Sequence, residues 1–285
     1  MSAVADRPRN KKKTLAQQAD RHVLYQKSVQ SAEVEIEFFV ERYKELRGGK
    51  PLSMREDFCG TALLSTEWCQ TDEQRTAIGV DLCQDTLDWG IKNNIQPAGS
   101  DVVGRVELRN ENVVTVQTPP QDVICAMNFS YCCFETRDSL REYFKNAYAG
   151  LKNNGLFFLD LLGGTATMDV VEDVREVEDE DFVYIWEQAS FNPIDHHLQC
   201  YIHFEFEDGS RMDKAFSYSW RLWTLPEIRE VLLEAGFSKV HVYWERFEED
   251  EDDPDNDYLV GTGEYRAVTD IEQQESWLAY IVAEK

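Results

Sequence analysis

Two hydrophobic periods divide the chain. Across residues 15–47 apolar side chains recur at helical spacing, which predicts helices at Leu15–Val29 and Ser31–Arg47. Val34, Ile36, Phe38, Phe39 and Val40 give the second its apolar content, Ser31 stands where an N-cap belongs, and Gly48-Gly49 ends it. Short apolar runs then alternate with helical segments. The expected strands are Leu52–Glu56, Thr76–Asp81, Val102–Arg109, Val123–Asn128 and Leu156–Leu161. The expected helices are Ala62–Cys69, Gln84–Asn93 and Asp138–Leu151, and Asn153-Asn154-Gly155 reads as a turn before the fifth strand. Such alternation predicts an α/β fold, a doubly wound parallel sheet with helices on both faces.

After Leu162-Gly163-Gly164 the period shortens to two. Phe182–Gln188, Leu198–Phe206 and Met212–Trp220 alternate apolar and polar residues, with Asp208-Gly209 turning between the last two. They predict an antiparallel β patch inserted at about 165–222. Leu225–Ala235 is an amphipathic helix with Pro226 in its first turn and Gly236 behind it. Lys239–Glu245 and Trp277–Ala283 read as closing strands, and acidic Glu248–Asp257 as a surface loop between them. Residues 1–14 read as a disordered leader. One domain is therefore expected over 15–285, with 15–47 as an N-terminal helical lid.

Charge narrows the choice of partner. The net charge of −25 opposes nucleic acid, whose affinity comes from Lys and Arg neutralising phosphates, and equally opposes an anionic membrane surface. A solubilising acidic surface is the plain reading, and a cationic substrate is compatible with that field. The seven cysteines show no paired spacing apart from adjacent Cys132-Cys133, which suits reduced thiols in a cytoplasmic protein. No His/Cys spacing converges on a metal site, so none is expected. No apolar run approaches a membrane span, and the N-terminus lacks the apolar core of a signal peptide.

The chemistry concentrates at Arg55-Glu56-Asp57-Phe58-Cys59-Gly60-Thr61-Ala62-Leu63-Leu64-Ser65. An acidic pair, a small-residue turn and a helix start make a strand-turn-helix element, which holds a nucleotide-like ligand by backbone amides and a carboxylate. Asp81 lies about twenty positions beyond the turn, as that reading requires. A nicotinamide dehydrogenase shares these features. It also predicts a fuller Gly-x-Gly-x-x-Gly turn and a second βαβ half, and the sequence has neither.

Further segments make the comparison specific: Gly79-Val80-Asp81-Leu82, Glu111-Asn112-Val113, Asp122-Val123-Ile124-Cys125-Ala126-Met127-Asn128 and Gly155-Leu156-Phe157-Phe158-Leu159-Asp160. With Glu56 to Ala62 they occur in the order and spacing of class I S-adenosylmethionine-dependent methyltransferases, which the chain resembles from about Ser53 to Gly164. Arg-Glu-Asp-Phe-Cys-Gly-Thr-Ala, with Arg221-Leu222-Trp223-Thr224-Leu225-Pro226 further on, resembles a mostly uncharacterised subgroup. The resemblance implies a Rossmann-like seven-stranded sheet with an antiparallel last strand, and S-adenosyl-L-methionine as cofactor. In that family the first loop reads acidic-x-Gly-x-Gly-x-Gly. Here the outer glycines become Phe58 and Ala62, and a β-carbon disfavours positive φ, so a differently shaped loop is expected.

The resemblance also implies roles. Asp81 would accept the ribose hydroxyls. Glu56 and the Cys59-Gly60-Thr61-Ala62 backbone would face the methionine part, and Arg55 would pair with its carboxylate. Asn112 would meet the adenine amino group, and Leu82 and Val113 would sandwich the ring. Asn128 would line the transfer site, where an end-of-strand amide needs a partner. Tyr25-Gln26-Lys27 would belong to a lid like those of glycine and sarcosine methyltransferases.

Methyl transfer is an in-line displacement that mainly needs alignment and exclusion of water, with a base only for a protonated acceptor. The candidates for a base are Tyr131, His203 and the His196-His197 pair. The junction Trp220-Arg221-Leu222-Trp223 would lie over the methyl group, with aromatic faces for an ammonium and Arg221 for a carboxylate. The expected acceptor is thus a small molecule, an amine or amino acid. A protein substrate, or a methyltransferase-like binding protein without catalysis, is the alternative. The oligomeric state is not legible.

Overall fold

The structure, a computed structural model, describes residues 13–249 and 259–285. Most of the expected leader and of the acidic loop lies outside these residues. Among the described residues no helix is long and apolar enough to cross a membrane.

Helices α1 (Leu15–Gln18), α2 (Arg21–Val29) and α3 (Ala32–Arg47) come first. The single helix expected at Leu15–Val29 is broken. Asp20 caps α2 by accepting from His22 N at 2.9 Å, while Leu15 N and Ala16 N donate to Asp208 and Ser210, so α1 is tied to a distant hairpin. Ser31 occupies the N-cap of α3 without a side-chain bond.

The α/β unit follows: β1 (Ser53–Asp57), α4 (Leu63–Gln70), β2 (Thr76–Asp81), α5 (Gln84–Gly90), α6 (Ser100–Val103), β3 (Val106–Asn110), β4 (Gln121–Ala126), α7 (Arg137–Gly150) and β5 (Leu151–Gly163). A π-helical turn, Ile91–Ile95, extends α5. The third strand starts later than expected because residues 100–103 form α6. The expected turn at Asn153-Asn154-Gly155 is instead an irregularity within β5, whose pairing with β4 jumps from Gln121–Leu151 to Val123–Leu156. Four antiparallel strands come next: β6 (Val171–Glu176), β7 (Phe182–Asn192), β8 (His197–Phe206) and β9 (Arg211–Arg221). The chain closes with α8 (Leu225–Ala235), β10 (Lys239–Glu249), β11 (Leu259–Val268) and β12 (Trp277–Glu284).

The main sheet has eight strands in the order β11-β10-β12-β5-β4-β1-β2-β3. Strands β1 to β5 are parallel, and β12 runs antiparallel between β5 and β10. This corrects the expected count of seven: β11 is an additional edge strand, antiparallel to β10.

Alternation along the central strands builds a core on each face. Met54, Val123, Cys125, Phe158 and Val282 pack under Ile36, Phe39 and Trp68 of α3 and α4. Ile124, Phe157, Leu159 and Ile281 pack under Tyr143, Phe144, Ile228 and Leu232 of α7 and α8. Strand order reverses at β1, which lies between β4 and β2. A crevice opens beyond the carboxyl ends of strands at such a point.

Candidate functional site

Strand β1 leads into α4 through a loop with left-handed backbone at every second position. Phe58 has φ 59°, Gly60 53° and Ala62 54°. The loop expected to differ in shape therefore keeps the conformation that three glycines would adopt, with side chains at two of them. Each non-glycine residue held there costs about 1–2 kcal/mol. Surrounding bonds fix it: Cys59 N donates to Val80 O (3.0 Å), Gly60 N to Asp81 Oδ2 (2.9 Å) and Asn94 Nδ2 to Thr61 O (2.8 Å). The Phe58 ring meets Phe134 and Tyr143 edge-on. Close approach is provided by glycine elsewhere: a β-carbon on Gly90 would stand 2.3 Å from Thr61 O.

The loop borders a cavity of about 420 Å³ at the crevice. Glu56, Gly60 and Asp81 form one side, and Tyr25, Tyr218 and Trp220 from α2 and β9 the other. A second cavity of about 810 Å³ adjoins it, reaching Asp160, Tyr184, Trp186, Trp277 and Tyr280. Both volumes suit small-molecule sites. Tyr25, Glu35, Asn128, Tyr218 and Trp220 line both.

Three buried carboxyl groups cluster at this junction. Burial pushes Glu35 up to about 8, reinforced by the negative charge of Asp160 and Glu56. Burial pushes Glu56 up to about 8 although Ser65 N and Oγ donate to it. Burial likewise raises Asp160 to about 7, against the pull of the Asn128 and Phe129 amides at 2.7 and 2.9 Å. Those two amides converge on Asp160 because Asn128 and Phe129 both adopt positive φ. Asp81 accepts from Gly60 N and Cys83 N, and a carboxylate has further acceptor capacity for a ligand.

Of the residues singled out from the sequence, Tyr25, Glu56, Cys59, Gly60, Thr61, Asp81 and Asn128 line the first cavity. Arg55, Ala62, Leu82, Asn112 and Val113 line neither. Arg55 is wholly buried; its Nη2 donates to Asp57 Oδ2 and its Nε stands against Asp57 Oδ1, each at 2.9 Å, so its expected place at a ligand carboxylate is corrected to an internal ion pair. Asn112 accepts from Val114 N and shapes a turn. Leu82 is 69% exposed, and Val113 is packed in the core.

The expected catalytic side chains are not at the cavities. Tyr131 is buried, and its hydroxyl donates to Asp160 O at 2.7 Å. His203 is enclosed on β8 between Glu187 (2.9 Å) and Asp213 (3.3 Å). Arg221 bonds Glu227 and stacks 3.8 Å from the Trp223 ring centroid. Of the other pair, His196 meets Leu222 O and His197 meets Ser219. The sequence reading missed Glu35. Its signal was an acidic residue beside Ile36 on the face α3 turns to the core.

No family model and no curated protein matches the chain. Solved structures do. One is an S-adenosylmethionine-dependent methyltransferase from Clostridium acetobutylicum, 16% identical over 92% of this chain and 96% of that one, with a TM-score of 0.66. Another is an amino pentose methyltransferase of calicheamicin biosynthesis from Micromonospora echinaspora, solved with S-adenosylmethionine, 12% identical over 92% and 95%, with a TM-score of 0.62. A third is a sugar N-methyltransferase from a Streptoalloteichus species, 14% identical over 100% and 99%, with a TM-score of 0.61. The chain has the Rossmann-like fold of class I S-adenosylmethionine-dependent methyltransferases.

Proposed function

We propose that this protein is an enzyme that uses S-adenosyl-L-methionine to methylate a small-molecule acceptor, with an amine as the preferred class. The observation that carries the reading is the pair of adjoining cavities at the switch point, meeting at a shared wall of aromatic and acidic side chains. A cationic cofactor suits the first cavity, where Glu56 is a buried acid that Ser65, Asp57 and Asp81 surround without a positive charge. Amine acceptors are supported by two of the similar proteins, an amino pentose methyltransferase and a sugar N-methyltransferase.

When bound, the cofactor supplies an activated methyl group. Asp81 would bind ribose hydroxyls, while Glu56 and the amides around Gly60 would hold the amino-acid end. Tyr25, Tyr218 and Trp220 would exclude water and present aromatic faces to positive charge. Residues 15–285 would act as one catalytic unit, with the helices of 15–47 and the strands of 165–222 closing over the crevice. Isothermal titration tests the reading: S-adenosylmethionine and S-adenosylhomocysteine should give heat and NADH none. Silence with the first two, together with no thermal shift, sinks it.

A further inference from the structure

The Glu35 carboxylate is an anomaly. The residue is 8% exposed, yet its side chain makes no hydrogen bond or ion pair within the protein among the described residues. Buried carboxylates ordinarily have a partner. The charges that reach it are Asp160 on β5, Glu56 on β1 and Glu67 on α4, all acidic. Tyr25 on α2 and Tyr218 on β9 share its junction, and Tyr265 on β11 and Tyr280 on β12 line the second cavity with it. It lines both cavities. A group so placed either keeps its proton or takes a cation against it.

Resting on the methyltransferase reading, we propose that Glu35 is a catalytic residue: it binds the protonated amine of the acceptor at the junction and takes its proton before transfer. The second cavity would then receive an amine carried on an apolar or aromatic body, since Trp186, Trp277 and Tyr280 line it. One ammonium N–H bond breaks and its proton passes to a Glu35 oxygen. The freed nitrogen lone pair forms the bond to the methyl carbon, and the carbon–sulfur electron pair leaves with sulfur. The product is again an ammonium, and Glu35 returns its proton to solvent, so one proton is released per turnover.

Glu35 is well suited to this exchange, because its raised affinity for protons brings it towards that of an amine. Asp160 and Asp173 are the other acids of this cavity, but the Asn128 and Phe129 amides already bond Asp160, and Arg175 pairs with Asp173. Tyr131, His203 and Arg221 do not reach either cavity.

The probes are phenethylamine and its neutral counterpart 2-phenylethanol, titrated into the protein saturated with S-adenosylhomocysteine. The wild type should bind the amine at least tenfold more tightly than the alcohol. Its affinity for the amine should rise towards ~tenfold per pH unit below pH 8, because binding displaces the Glu35 proton. Glu35→Gln, shown by circular dichroism to be folded, should abolish both the preference and the pH dependence. Equal affinity for the two probes, binding of neither, or a preference that survives Glu35→Gln overturns the proposal. Failure of S-adenosylhomocysteine to bind the wild type would instead overturn the cofactor reading.

Discussion

Replacing Arg55 by Leu separates two roles for one residue. The guanidinium and the Asp57 carboxylate are both fully buried and joined by two 2.9 Å contacts. Removing one member of such a pair costs about 3–5 kcal/mol, because the other charge stays buried without compensation. Tyr143 still donates to Asp57 at 3.0 Å, and burial already raises the Asp57 carboxyl, so in the variant it takes up a proton rather than remaining a bare charge. That escape limits the loss to the lower part of the range, about 3 kcal/mol, and makes it smaller at pH 5 than at pH 8. The whole fold is stable by only about 5–15 kcal/mol, so the change is easily read as a shift in urea midpoint by circular dichroism. Arg55→Leu with Asp57→Leu should recover at least half, since two apolar side chains remove both buried charges. The reasoning is refuted if Arg55→Leu unfolds within about 1 kcal/mol of wild type while losing affinity for S-adenosylmethionine. That pattern would put the guanidinium on the cofactor.

Asp81→Ala should weaken S-adenosylmethionine by at least tenfold in titration, because it removes both the proposed ribose acceptor and the bond that holds Gly60 N; an unchanged dissociation constant would disprove the assignment. Ala62→Gly should be nearly neutral in urea, since relief of a left-handed alanine offsets the lost methyl and the freer unfolded chain, whereas Ala62→Val should cost more than about 2 kcal/mol. Equal effects of the two would deny the backbone conformation. Glu35, Glu56 and Asp160 titrate near 8, 8 and 7 in the fold, above the ordinary carboxyl range. The folded protein therefore binds more protons than the unfolded chain from about pH 4.5 to 8, and its stability should fall as pH rises through that window, by up to about 1.4 kcal/mol per unit for each group. Thermal melts should show the fall between pH 6 and 8, and Glu35→Gln should make it shallower; a melting temperature that climbs over this range counters the account.

Helix α8 was legible because its signals agree: Thr224 and Glu227 form a capping box, Pro226 sits in the first turn and Gly236 closes the end. The central strands were legible from their apolar runs. Strands β6 and β11 were not. Every residue of β6 is exposed, and in β11 only Tyr265 and Val268 are part-covered among residues 261–268, so neither carries an alternation to read. At the site, the carboxyl ends of β1 and β2 gave Glu56, Gly60 and Asp81 from local spacing. His203 shows what spacing omits: strand alternation says that a side chain faces one side, but not whether that side is a cavity or another protein group. Phe58 shows the converse, since residue type argued against a backbone angle that hydrogen bonds to Val80 and Asp81 impose.

The wall of Tyr25, Glu35, Asn128, Tyr218 and Trp220 borders both cavities, so a ligand in each would share it. A guest that moves any of these side chains changes the walls offered to the other. Thermodynamic reciprocity then fixes the bargain: whatever factor the first ligand applies to the affinity of the second, the second must apply to the first. The two dissociation constants of a protein so built would not be separate properties. A measurement of either is incomplete until the contents of the neighbouring chamber are stated.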